Sequence, residues 1–370
     1  MTLKELLQKG IVEVAKLPND NNFLLNENKL DLTRLDSLEG YTVPIVAHDY
    51  GAKTPQMWNA LYKKLELRIR SIMIVGNPVN AREILDNLKS DPKYLGGGAG
   101  VGFKEAVIPI LDEVKPADLK AVNIIVKEKN KLVGYNTDAS GFIKSLEESL
   151  KKVSKEIKGS NFVVYGAGGV AKEVTRILAE QKANRIRIVN RSFNKAVALA
   201  HYLNETYGQV AEGIGEELSR GAVLNSEIKV DALINLTDKG SDGPLVDVAM
   251  YDSAHQLNEK ISRDILRYLR NLRPDVVIAD IVLPKRQPSI SLRLAKAEDL
   301  ENLLDGKPMV IHQAAPAYIY IQNAHPELHT KKVQEEEALK IFKEAAINWN
   351  NFLKIITSFF NFNFFSRDYR

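Results

Sequence analysis

Cysteine is absent from all 370 residues, which removes disulfide scaffolds, thiolate metal sites and cysteine nucleophiles together. The redox compartment stays open, with the cytoplasm as the default. Long apolar runs are missing too: no segment approaches the roughly 20 apolar residues that span a bilayer, so no membrane partner is expected. The opening stretch spaces Leu3, Leu6, Leu7 and Ile11 helically, but Glu5 and Glu13 do not suit a transit peptide, and a signal peptide's uninterrupted apolar core is lacking. An ordinary surface helix is expected there. Nor does one sign of charge dominate: 51 Lys and Arg stand against 47 Asp and Glu, a net +4 that is a poor footprint for nucleic acid.

What is present is an ordinary globular composition, 45% hydrophobic and 26% charged, in a chain long enough for two cores. The first forty residues read as a polar extension. Strand-like runs then alternate with helical patterns: a strand over 42–47, a helix over 55–65, a strand over 69–76, a helix over 81–88, then the glycine-rich 95–103. That alternation predicts parallel strands joined by crossover helices. A hairpin follows, 121–128 with 131–136 about Lys129-Asn130. After the helical 141–153, a second α/β unit begins at residue 161 and continues through strands over 186–190, 232–237 and 276–282. Between the last two, Arg263, Arg267, Arg270 and Arg273 form a basic stripe that reads as the wet face of an amphipathic helix.

The strand over 161–165 leads into Gly166-Ala167-Gly168-Gly169-Val170-Ala171 and a helical pattern, the G-x-G-x-x-A fingerprint in its strand–turn–helix context. Gly166 suits the tight turn, Gly168 the approach of backbone to a pyrophosphate, and Ala171 the packing of helix on strand. The next strand ends in Asn190-Arg191-Ser192-Phe193-Asn194-Lys195, with no carboxylate for ribose hydroxyls and two cations. That set is built for a 2′-phosphate: Arg191 offers a planar fork and Lys195 a point charge. The expected cofactor is NADP.

A dinucleotide domain implies hydride transfer without naming a substrate. Oxidising a secondary alcohol needs a group that accepts the hydroxyl proton, and a lysine beside a carboxylate can do this. Lys104 follows the glycine-rich stretch, Asn123 lies in Ala121-Val122-Asn123, and Gly134-Tyr135-Asn136-Thr137-Asp138 closes the hairpin ahead of Gly141-Phe142. Here the sequence resembles the shikimate dehydrogenase family, over roughly residues 42 to 325. The motif ending in Asp138, the Gly-Ala-Gly-Gly turn and Asn190-Arg191-Ser192 look like that family's signatures. Asn235-Leu236-Thr237 is similar to its segment beside the nicotinamide, and Met309-Val310-Ile311-His312-Gln313-Ala314-Ala315 resembles its late helix returning to the substrate domain. The resemblance implies Lys104 and Asp138 as the catalytic pair meeting in an interdomain cleft, and Thr54, Asn123 and Gln313 as substrate ligands. It also implies Gly166, Ala167, Gly168, Gly169, Val170, Asn190, Arg191, Ser192, Lys195 and Thr237 as cofactor ligands. Taken singly, Lys104 and Asp138 would read as a structural ion pair; the ordered motifs favour catalysis.

The resulting expectation is an α/β enzyme of two domains, an N-terminal substrate-binding α/β domain and a doubly wound Rossmann domain for NADP. The expected bounds are 1–40 for the extension, 41–145 for the substrate domain (completed by helices within 307–355), 146–306 for the Rossmann domain and 356–370 for an aromatic tail. The expected reaction joins shikimate, or a close hydroxy acid, and NADP to 3-dehydroshikimate or the matching ketone, in the cytoplasm, with no metal and a homodimer as the possible assembly. The alternatives are a paralogue for another small hydroxy acid and a silent NADP sensor. Both arise from departures: Ala52-Lys53-Thr54-Pro55 replaces the family's Ser-x-Ser-Pro, Gly98-Ala99-Gly100 replaces Asn-Val-Thr, and the chain reads Ile281-Val282-Leu283-Pro284 near the family's late tyrosine. His325 and His329 lack a third metal ligand and read as surface residues, and His312 as a packed helix residue.

Overall fold

The β-branched runs and amphipathic segments of the chain pair into two separate sheets in the computed structural model. The structure describes residues 2–15, 25–26, 29–36, 38–48, 54–218, 221, 223, 229–252, 259–283, 287–329 and 332–346. Two units divide the chain: Met1–Asn136 with Ala314–Arg370, and Thr137–Gln313.

The first unit runs α1 (Leu3–Gln8), β1 (Val12–Val14), a small ribbon of β2 (Leu25–Asn26) and β3 (Lys29–Leu30), α2 (Thr33–Asp36), β4 (Tyr41–Ala47) and α3 (Thr54–Lys64). It continues through β5 (Ile69–Gly76), α4 (Ala81–Ser90), β6 (Gly96–Ala99), β7 (Glu113–Lys115), β8 (Ile124–Glu128) and β9 (Lys131–Tyr135). The main sheet is ordered β1-β5-β4-β6-β8-β9-β7. Strands β5, β4 and β6 are parallel, as the βαβ alternation predicts, and β8–β9 is the expected hairpin, with Lys129 at φ 59° in its turn.

The opening segment is not an extension outside this unit. A Thr2/Glu5 capping box starts α1, and Leu3, Leu6, Leu7 and Val12 join Ile72, Ile74 and Leu85 in the core. Strand β1 extends the sheet antiparallel to β5. Each such leucine contributes on the order of 1.5–3 kcal/mol when fully buried, so these residues stabilise the unit directly. The helix over 335–346 belongs to the same unit, its buried Phe342 lying 5.9 Å from the Trp58 ring. The aromatic tail lies outside the described residues.

The second unit contains α5 (Asp138–Lys152), β10 (Asn161–Tyr165), α6 (Gly169–Glu180), β11 (Arg185–Asn190), α7 (Phe193–Tyr207), β12 (Ala211–Gly215) and β13 (Ala232–Asn235). After these come α8 (Glu259–Leu272), β14 (Val277–Asp280), α9 (Ile290–Ala297), β15 (Leu303–Leu304) and α10 (Lys307–Ala324), whose last residues fall in the first unit. Its sheet is wholly parallel, ordered β12-β11-β10-β13-β14-β15. Counted from β10 this is 3-2-1-4-5-6, the doubly wound order whose switch point lies between β10 and β13. Alternate residues of β10 serve opposite cores, Phe162 and Val164 facing one and Val163 and Tyr165 the other. Both faces of the sheet are therefore covered.

The arginine stripe of α8 and the turn after it is more than a wet face, although Arg267 keeps 54% of its side chain exposed. Arg263 and Arg267 each donate at 2.9 Å to Glu298, whose side chain is 6% exposed. Arg273 donates at 2.6 Å to Asp231 and at 3.2 Å to Asp275. A carboxylate taken out of water requires such partners, and the stripe supplies them to α9 and to the strand ends. No helix among the described residues is long and apolar enough to cross a membrane.

Candidate active site

In the first unit, main-chain pairing gathers the segments singled out by sequence. Lys104, half-buried, lies in the turn after β6, and its carbonyl accepts the Val122 N–H at 2.8 Å. Asn123, 9% exposed, donates its N–H to the Tyr135 carbonyl at 3.0 Å, and its own carbonyl accepts the Ala99 N–H at 2.9 Å. The Asn136 amide donates to the Ala121 carbonyl at 2.9 Å. Lys104, Asn123 and the end of the Gly-Tyr-Asn motif are thus one connected cluster. Thr54, half-buried, opens α3; Ala52 and Lys53 lie outside the described residues.

Gly97 in β6 and Gly100 just after it have a steric origin. A Cβ on Gly97 would lie 1.9 Å from the Pro44 carbonyl oxygen, and one on Gly100 would lie 2.8 Å from the Ala47 Cβ. Beside β4, side chains at these two positions would need their neighbours to shift.

The second unit holds the other half of the motif. Asp138, 3% exposed, begins α5, and Thr137 Oγ1 donates to Gln313 Oε1 at 3.2 Å. One turn into α5, a Cβ on Gly141 would lie 2.7 Å from the Gln313 amide nitrogen, 2.8 Å from its Cβ and 2.9 Å from the Met309 carbonyl oxygen. Only glycine lets α5 and α10 approach so closely, which is why Gly141 and the Met309–Gln313 segment occur together.

In the dinucleotide turn Gly166 adopts φ +117°, a conformation reserved for glycine, and its N–H donates to the Val189 carbonyl at 2.8 Å. Gly168 is different. It caps α6 with φ −88° and ψ −171°, extended backbone open to any residue, and no protein atom lies within 4 Å of its would-be Cβ. No side chain caps the first N–H groups of α6, and Ala171 behind the turn is fully buried. Val170 is half-buried, while Gly169, Arg191, Ser192 and Lys195 are exposed. The Asn190 amide braces this second turn by donating to the Ser192 carbonyl at 3.0 Å. Among the described residues, no carboxylate pairs with Arg191 or Lys195.

A buried polar network, not anticipated from sequence, supports Thr237. The Asn235 side-chain oxygen accepts from Thr237 N–H at 3.1 Å and Oγ1 at 2.6 Å, while its nitrogen donates to Asp280 Oδ1 at 2.9 Å. Asp280 also accepts from the Val282 N–H at 3.0 Å and Ser289 Oγ at 2.5 Å. Lys239, 6% exposed, pairs with Glu216 and donates to the Asp252 carbonyl at 2.5 Å. The available signal was a polar residue at the end of each buried strand, Asn235 on β13 and Asp280 on β14, where desolvation demands a partner.

Burial pushes the Asp280 carboxyl up to about 6, against the opposing pull of the Ser289, Val282 and Asn235 hydrogen bonds. Its folded value lies above the ordinary 3.8, so the proton favours the folded state, and stability falls as pH rises from about 4 to about 6. That difference corresponds to about 3 kcal/mol. Denaturant unfolding of Asp280→Asn and parent protein at stepped pH should show the parent losing this increment across the interval while the variant does not. Parallel curves would refute the assignment.

The histidines are more enclosed than a surface reading allows. His325 Nε2 lies 3.0 Å from the Leu95 carbonyl, His329 is 7% exposed with Nδ1 2.9 Å from the His325 carbonyl, and the segment between them is a short 3-10 turn. His312 is packed, its Nε2 3.2 Å from Glu148. The described residues contain no group of three or more metal-ligating side chains.

Known proteins share both extended sequence similarity and the architecture. A sequence profile described as shikimate / quinate 5-dehydrogenase matches residues 148–224. The NADP(+) shikimate dehydrogenase of Halothermothrix orenii is 32% identical over 289 residues, 76% of this chain and 90% of that protein. The chain belongs to the shikimate dehydrogenase family. A second member, from Methanocaldococcus jannaschii, is 31% identical over 281 residues, covering 75% of this chain and 90% of its own. A solved shikimate dehydrogenase in complex with NADP+ aligns with a TM-score of 0.61 at 26% identity, over 83% of this chain and 96% of that one.

Proposed function

We propose that the protein is an NADP-dependent oxidoreductase that interconverts shikimate and 3-dehydroshikimate, with a place in aromatic amino-acid biosynthesis. The first unit is then the substrate-binding domain and the second the NADP-binding domain. The observation that carries this reading is Gly168, where neither backbone conformation nor protein packing demands glycine. A ligand that must approach the main chain would demand it, and the uncapped start of α6 offers N–H groups to a pyrophosphate.

Gly166, Ala167, Gly168, Gly169 and Val170 would hold the pyrophosphate, and Asn190, Arg191, Ser192 and Lys195 the 2′-phosphate. Thr237, braced by Asn235, would lie beside the nicotinamide. Bound there, NADP+ supplies the hydride acceptor. Lys104 and Asp138 are the catalytic pair that takes the hydroxyl proton as the carbon loses hydride. Thr54, Asn123 and Gln313 hold the substrate's polar groups. The cytoplasm and a homodimer complete the proposal.

Purified protein should reduce NADP+ in the presence of shikimate, followed by NADPH absorbance. Arg191→Ala should raise KM for NADP+ by about 10–100-fold, the worth of a hydrogen bond to a charged group, and leave KM for NAD+ nearly unchanged. Equal losses would contradict the 2′-phosphate contact.

One observation favours a second reading, a paralogue for another small hydroxy acid. Gly100 is hemmed in by Ala47, so this chain cannot carry a polar ligand there. Turnover of quinate or a related hydroxy acid in preference to shikimate would select that reading. Tight NADP binding with no turnover of any of them would select a silent sensor.

A further inference from the structure

A cavity of about 460 Å³ lies in the second unit among α5, α9 and the edge strand β15. Its floor is apolar, formed by Leu292, Leu303, Leu304 and Pro308, and its rim carries Lys152, Arg293 and Lys296. The volume falls in the range of small-molecule sites, and apolar walls with a few placed polar groups are their usual lining. None of its lining residues belongs to the glycine turn or the 2′-phosphate segment.

The charges of this cavity are unevenly satisfied. Its two carboxylates have partners: Glu148 lies 3.2 Å from His312 Nε2, and Asp305 receives the Lys307 N–H at 3.0 Å and its ammonium at 3.3 Å. Neither Lys152 nor Lys296 has a carboxylate partner among the described residues. Among the described residues Arg293 has only the exposed Asp247, at 4.0 Å, as an ion-pair partner, and its side chain is 35% exposed. A guanidinium that lines a cavity without a close carboxylate offers a planar fork that a ligand carboxylate fits.

We propose that this cavity binds a small amphiphilic organic anion, its carboxylate received by Arg293 between the rim lysines and its hydrocarbon arm laid on the leucine floor. The walls give such a ligand leverage. Ser145 and Ser149 of α5 line the cavity, and Ser145 Oγ donates at 2.9 Å to the carbonyl of Gly141, the residue against which Gln313 packs. Pro308, on the facing wall, opens α10, which carries Gln313. An occupant touches both helices at their close approach and is a regulator of that contact.

Hexanoate is a suitable probe, titrated into the full chain by calorimetry with hexan-1-ol and inorganic phosphate as comparisons. One saturable hexanoate site is expected, weakened at least 10-fold in the Arg293→Ala/Lys296→Ala protein and to a smaller degree in Lys296→Gln, a change at an exposed position. Hydrogen exchange over residues 138–152 should slow on binding. Equally tight binding of hexan-1-ol would overturn anion recognition, and equally tight phosphate would overturn the apolar requirement. Undiminished binding by the double variant would move the site elsewhere, and unchanged exchange in α5 would overturn the regulatory role. All these readouts are independent of turnover, so failure of the shikimate assay would leave them interpretable.

Discussion

Lys104→Ala should lower kcat by about 10²–10⁴-fold and leave the dissociation constant for NADPH unchanged, the signature of losing a proton-transfer group. The size of the effect follows from the reaction: hydride cannot leave the carbinol carbon unless the hydroxyl proton has an acceptor. The specificity follows from the fold. One contact that ties residue 104 to its neighbours is main-chain, the Val122 N–H to the residue 104 carbonyl at 2.8 Å, and alanine retains it. The cofactor turn is built on β10 and α6 of the other unit, so nucleotide affinity should not follow the loss. Lys104→Arg separates charge from proton transfer, because guanidinium stays protonated throughout the working range. It should restore little of the lost rate. Steady-state turnover with fluorescence titration of NADPH checks both, and an unchanged kcat in Lys104→Ala would remove the residue from the catalytic pair.

Gly141→Ala, a change of one methyl group, should destabilise the protein by about 1–3 kcal/mol, the range for overpacking a well-filled interface. Two of the three atoms that the new Cβ would meet, at 2.7 and 2.9 Å, are helix backbone, and backbone cannot rotate out of the way. α10 must therefore shift, taking Gln313 with it. In the proposed role of Gln313 as a substrate ligand, a displacement approaching 1 Å can cost about 10²-fold in rate. KM for shikimate should rise and kcat fall while KM for NADP+ holds. The neighbouring Ser140→Ala, at an exposed position, should change stability by no more than about 0.5 kcal/mol. Thermal unfolding beside kinetics distinguishes the two variants; a Gly141→Ala protein with parent stability and rate would show that the helices have room to spare.

Much of the fold was readable in one dimension because the signals are local. Two-residue alternation marks strands, three- and four-residue recurrence marks helices, and a positive-φ glycine such as Gly166 marks the turn between them. The elements that escaped are those whose existence depends on a neighbour. Strands β1, β7 and β15 are two or three residues long, and all three sit at sheet edges. A strand of two or three residues carries too little periodicity to declare itself, and acquires its conformation from the ladder it joins.

The same division holds for the candidate site. Residue type and order along the chain limit the chemistry of the proposed site: a glycine turn suited to a dinucleotide, cations with no carboxylate suited to a 2′-phosphate, and a lysine and an aspartate with no thiol to compete. Which residues brace those groups follows from packing. Asp280 reaches Asn235 across adjacent strands, Gln313 meets Gly141 from a helix far along the chain, Arg263 of α8 finds Glu298, and Arg273 just beyond α8 finds Asp231. Residue type limits what a side chain can do, but burial sets which polar groups must be paired. Burial exists only once distant segments have packed and excluded water.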